Sequence, residues 1–69
     1  MPWINLKMWP GRPDEVKREL AEKTRDFLAR EMNMDRKYFA VTIEEIIPER
    51  WNDELEKVPH EQRIIWPEE

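Results

Sequence analysis

Residues 2–9 alternate strictly. Ile4, Leu6 and Met8 fall on one face and Trp3, Asn5, Lys7 and Trp9 on the other, the two-residue period of a strand. A proline at position 2 suits the first place in such a strand, where its missing N–H interrupts no ladder. Trp9-Pro10-Gly11-Arg12-Pro13 then breaks the pattern with a proline, the only glycine and a second proline. From Pro13 the period becomes helical. Pro13 has the fixed φ of a helix start, and Asp14 and Glu15 suit the positive end of the helix dipole. Val16, Leu20, Thr24, Phe27, Leu28 and Met32 share one stripe at three- and four-residue spacing. Lys17, Arg18, Glu19, Glu22, Lys23, Arg25 and Asp26 occupy the remaining faces as a solvated, ion-paired surface.

Asn33 to Lys37 is a polar connection. A second strand is expected over 38–47, with Phe39, Val41 and Ile43 on one face and Ala40, Thr42 and Glu44 on the other; Pro48 ends it. The tail, 48–69, holds Trp51, a charged stretch able to form one or two helical turns, Val58-Pro59 and Ile64-Ile65-Trp66-Pro67. Strand 2–9, helix 13–32 and strand 38–47 make a β-α-β unit of α+β class. Its crossover should be right-handed and its two strands parallel. Two strands under one covering helix leave the other sheet face and both edges bare, an arrangement not stable alone in water. Pairing through a two-fold axis would complete the sheet.

Composition narrows this picture. Sixty-nine residues form a single domain, 1–69, and a chain of that size is marginal without a staple. With no cysteine and one histidine, neither a disulfide framework nor a histidine-rich zinc site is available. A net charge of −4 with both signs interspersed argues against a nucleic-acid partner. No apolar run approaches a membrane span or signal core, so a cytoplasmic protein is expected. Trp3, Trp9, Trp51 and Trp66 are too many to hide in one small core, which points some of them to a subunit interface. An obligate homo-oligomer, at least a dimer, is expected.

The candidate chemistry starts at Pro2. Aminopeptidases that remove an initiator methionine accept proline in second place, and loss of Met1 would leave Pro2 with a free secondary amine. Such an amine takes and returns protons near neutral pH without a cofactor. His60, in the charged tail, has no nucleophile implied beside it and reads as a solvent histidine. Glu44 and Glu45 are adjacent in a strand and so point to opposite faces, which rules them out as a shared acid–base pair.

In order, Pro2-x-Ile4, Gly11-Arg12 opening a helix with Asp14-Glu15 and Lys17, Val41-x-Ile43-x-Glu45 and Trp51 together resemble the 4-oxalocrotonate tautomerase family over roughly residues 2–51. Ile46-Ile47-Pro48-Glu49-Arg50-Trp51 is similar to the branch of small bacterial tautomerases acting on phenylpyruvate-like enols. The resemblance implies an amino-terminal proline base at Pro2, a substrate-carboxylate ligand at Arg12 contributed by a neighbouring subunit, and an aromatic wall at Trp51. It implies no cofactor and no metal, and a small carboxylate as substrate. Burial and nearby cations would each lower the amine's pKa towards ambient pH, where a base is most effective.

Two features depart from the family. The glycine-rich hairpin that helps assemble its hexamers is absent after Trp51, so the resemblance slightly favours a homodimer over a trimer of dimers. Where 4-oxalocrotonate tautomerase has an arginine on its second strand, this sequence has Ala40, so a dicarboxylate would lose an anchor. Arg50 and Lys7 are the cations able to compensate from another direction. A monocarboxylate 2-keto acid or its enol, with an aromatic tail on Trp51, fits better. Other readings of the same scaffold are a hydratase or dehalogenase using protonated Pro2, and an oligomeric module without catalysis.

Overall fold

The computed structural model describes residues 1–68. Its elements run β1 (Trp3–Met8), α1 (Asp14–Glu31), a 3₁₀ turn at Arg36–Tyr38, β2 (Ala40–Glu45), α2 (Pro48–Glu56) and a second 3₁₀ turn at His60–Gln62. β1 and β2 pair in parallel, Trp3 opposite Ala40 through Met8 opposite Glu45, the β-α-β unit that the alternation predicts. The ladder extends at both ends: Ala40 N–H donates to the Pro2 carbonyl at 3.1 Å, and Ile46 N–H to the Met8 carbonyl at 2.8 Å.

Local chemistry sets the ends of α1. Pro13 caps it in extended conformation, and its carbonyl accepts from the N–H groups of Val16 and Lys17. At the far end Asn33 takes φ 52°, a left-handed conformation that asparagine tolerates. Met34 N–H then reaches back to the Ala29 carbonyl at 3.0 Å, closing the helix as a Schellman turn.

The inward face of α1 is rotated from the apolar stripe of the sequence. Ala29 is buried, with Ala21, Thr24, Arg25 and Leu28 half-buried around it. Phe27 and Met32 remain 52% and 49% exposed. Alanines carry little weight in a hydrophobic pattern, yet their small side chains let a helix lie close on a sheet. Lys17 closes the same interface by pairing with Glu45 at 3.2 Å.

The opposite face of the sheet is a row of side-chain hydrogen bonds. Trp3 Nε1 donates to Thr42 Oγ1 (3.1 Å), Thr42 Oγ1 to Asn5 Oδ1 (2.8 Å), and Asn5 Nδ2 to Glu44 Oε1 (3.1 Å). Lys7 follows in that row and pairs with Glu54 of α2. The tail thus forms a helix of nine residues with Pro48 in its first turn, longer than the turn or two its charged sequence suggests. The second strand is correspondingly shorter than 38–47: Arg36–Tyr38 forms a 3₁₀ turn capped by the Asp35 side chain, and the strand stops at Glu45.

Little of this chain is buried. Among the described residues only Ala29 and Ile46, 7% and 8% exposed, form a buried core. The accessible surface is 6109 Å², against roughly 4,700 Å² for a compact monomer of this mass. The radius of gyration, 13.6 Å, likewise exceeds the ~11 Å of a compact chain this long.

Candidate active site

The turn after β1 presents Arg12. Gly11 sits at φ 128°, a backbone conformation that residues with a Cβ rarely adopt. A Cβ there would meet nothing within 4 Å, so the requirement lies in the backbone and not in space. Trp51 comes to the same place from α2. Together with Lys7, Met8, Trp9 and Pro10 they line a cleft of about 450 Å³. A second hollow of about 510 Å³ lies between the C-terminal half of α1 and the turn that follows, and includes none of Pro2, Arg12 or Trp51.

Charge in the cleft is unevenly satisfied. Among the described residues Arg12 has no carboxylate partner. Lys7 Nζ lies 2.8 Å from Glu54 Oε2, while Lys57 Nζ lies 3.0 Å from Glu54 Oε1. The hydrogen bond from Lys7, then that from Lys57, holds the Glu54 carboxyl below its usual range. The same bond to Glu54 raises the Lys7 ammonium above its ordinary value against a smaller opposing effect of desolvation. The Lys7 stem also borders a small pocket with Trp51, Leu55 and Val58.

Of the residues that the sequence singles out, Arg12 and Trp51 therefore meet. Pro2 does not join them within one chain. It lies at the start of β1 and Arg12 beyond its end, separated by a strand length of roughly 20 Å at the usual rise per residue. Pro2 is half-buried beside Ala40, and Met1, which makes its nitrogen an amide, is 90% exposed. Lys7 belongs to the cleft, whereas Arg50 is not among its lining residues. The Lys7–Glu54 contact depends on how α2 returns over the sheet, and strand periodicity carries no signal for it. Glu44 and Glu45 do face apart, one bonded to Asn5 and the other to Lys17. His60 is exposed. The described residues contain no group of three or more histidine or acidic side chains able to hold a metal ion, and no helix long and apolar enough to cross a membrane.

With this arrangement goes a family match. The model of a family described as tautomerase enzyme covers residues 2–53, well over half of the chain. The chain belongs to that family, and its parallel β-α-β unit is consistent with the tautomerase fold. Family membership indicates enzyme activity of the isomerase type. Comparison with curated proteins gives no significant match.

Proposed function

We propose that this chain is a cofactor-independent keto–enol tautomerase acting on a small 2-keto acid and its enol, with Pro2 as the proton carrier once Met1 is removed. The observation that carries the reading is Arg12, without a protein carboxylate to satisfy it, in a cleft bordered by Trp9 and Trp51. A guanidinium offers a planar fork that matches a carboxylate with two parallel hydrogen bonds. Indole rings beside it suit an apolar or aromatic tail. Ala40, next to Pro2 in the ladder, supplies no charge at that end, which favours a monocarboxylate.

The chemistry is a proton shift. In the enol-to-keto direction the neutral Pro2 nitrogen accepts the enol hydroxyl proton as the C=C pair moves to carbon. The resulting ammonium returns a proton to that carbon, so one O–H bond breaks, one C–H bond forms and C–O becomes C=O. The reverse sequence makes the enol, and Pro2 ends each turnover as it began.

Pro2 of one chain would serve the Arg12–Trp51 cleft of another. Support comes from the strand length between them and from the free edges of a two-stranded sheet. The surface in excess of a compact monomer, roughly 1,400 Å², is of the size one subunit contributes to an obligate interface. A homodimer or a trimer of dimers would both satisfy this.

Two measurements test the proposal together. Intact-mass spectrometry of the purified protein should show loss of Met1. Ketonisation of enol-phenylpyruvate should then fall about 10-fold or more in kcat for Pro2→Ala, whose terminal amine is primary and less well placed than the ring nitrogen. An active protein that keeps Met1, or a folded, processed Pro2→Ala chain as fast as the parent, would defeat the mechanism.

A further inference from the structure

The cleft contains a second cation whose surroundings differ from those of Arg12. Lys7 projects from the sheet face opposite α1, and its Nζ is tied to one oxygen of Glu54. The other oxygen of that carboxylate already has a partner, Lys57. Glu54 is half-buried, with its side chain 19% exposed, which favours keeping a counter-ion beside it. With Lys57 in place, Lys7 can turn its ammonium to a ligand while Glu54 keeps a counter-ion. Lys7 also lines a small apolar pocket with Trp51, Glu54, Leu55 and Val58, beside the cleft that holds Arg12.

We propose that Lys7, positioned by Glu54, donates to the oxygen on carbon 2 of the substrate, while Arg12 takes the adjacent carboxylate. The assignment rests on the tautomerase reading above and deepens it. Arginine presents a rigid two-pronged donor, and lysine a compact point charge. A 2-keto acid has the matching pair: a two-oxygen carboxylate and, one carbon away, a single oxygen. During enol–keto exchange that single oxygen gains negative charge, and a preplaced cation is most effective where charge develops. Lys7 thereby becomes a catalytic residue, and Glu54 a positioning residue acting through it.

Two inert acids that differ only at carbon 2 separate this role from general charge or fold. Phenyllactate has an oxygen there and 3-phenylpropanoate does not; binding of either is read by quenching of indole fluorescence. The parent protein should bind phenyllactate at least ~10-fold more tightly, the effect expected of one hydrogen bond to a charged donor. Lys7→Met should bring that ratio to within about twofold and leave 3-phenylpropanoate affinity nearly unchanged, which a purely structural loss would not do. Lys7→Arg should restore part of the preference, and Glu54→Gln should reduce it without abolishing it. A parent without the preference, or a Lys7→Met chain that retains it, overturns the assignment. Ketonisation activity in a protein that shows no preference would sink the Lys7 role and leave the tautomerase reading standing. Preference without any ketonisation would do the opposite.

Discussion

Arg12 shows how one residue's backbone neighbour determines its use. Gly11, at a φ that disfavours other residues, turns the chain out of β1 and starts it towards α1, and Arg12 follows it into the cleft. An arginine at a helix start usually finds an acidic partner or solvent. Here Asp14 and Glu15 lie close in sequence, yet Asp14 pairs with Lys17 and neither forms an ion pair with Arg12. A charged bidentate contact contributes on the order of 1.5–3 kcal/mol. Arg12→Ala should therefore raise KM for enol-phenylpyruvate roughly 10- to 100-fold with a much smaller change in kcat. Arg12→Lys should recover only part of the loss, since an ammonium cannot reproduce the fork. An unchanged KM in steady-state kinetics would remove Arg12 from substrate binding. The resemblance singles out Arg12 and Trp51, and the structure brings them together; strand alternation alone leaves Lys7 an ordinary outward cation.

At the scale of elements, α2 is tied to the sheet by the pair between Lys7 and Glu54. The Lys7–Glu54 pair gives that docking a pH dependence with a definite sign. Glu54 has a folded-state pKa depressed by Lys7 and then Lys57, so its stabilising effect is complete above the ordinary carboxylate range and is lost as pH falls through the depressed value. Lys7 has a raised value, caused first by the bond to Glu54. Its effect is complete below the ordinary lysine range and is lost as pH rises through the raised value. Docking should therefore be constant across neutral pH and loosen at both extremes. Intrinsic tryptophan fluorescence should report the acid transition below the ordinary carboxylate range, and Glu54→Gln should flatten it. A transition of the same size in that variant would assign it to the other acidic residues. β1, α1 and β2 are legible because alternation, a proline start and a helical period each leave a local signature. α2 is harder to see, because its charged sequence gains a helix from Pro48 in its first turn and from the pairing of Glu54 with Lys7, forty-seven positions earlier. The rotated face of α1 escapes for a related reason: Ala21 and Ala29 are chosen by the closeness of the sheet, which no periodicity of large apolar residues can reveal.

The whole molecule is spread out, with two strands, two helices and, among the described residues, only Ala29 and Ile46 in a buried core. Ile64 and Ile65 are 87% and 91% exposed, and Trp3, on the sheet face away from α1, is 70% exposed. Arg63 is nonetheless fixed, its Nε donating to the Val58 carbonyl at 2.9 Å and its guanidinium lying 4.5 Å from the Trp66 ring centre. Arg63 thus ties this segment back towards α2 while Ile64 and Ile65 face solvent. Such a shape suits a chain that finishes its fold against copies of itself, as the oligomer proposed above requires.

The strand length between Pro2 and Arg12 has a genetic consequence. If every working centre takes its proline from one copy and its arginine from another, two defective alleles can repair each other. Chains carrying Pro2→Ala and chains carrying Arg12→Ala, unfolded together in equal amounts and refolded as mixed assemblies, would meet as intact proline with intact arginine in about a quarter of centres. Ketonisation should return to roughly that fraction of the parental rate from two preparations that each fall well below it. A mixture no more active than its components would mean that both residues serve a centre within one chain, in an arrangement different from the strand-length separation seen here. Defects in this protein would then be strictly private to the copy that carries them, instead of shared across an interface.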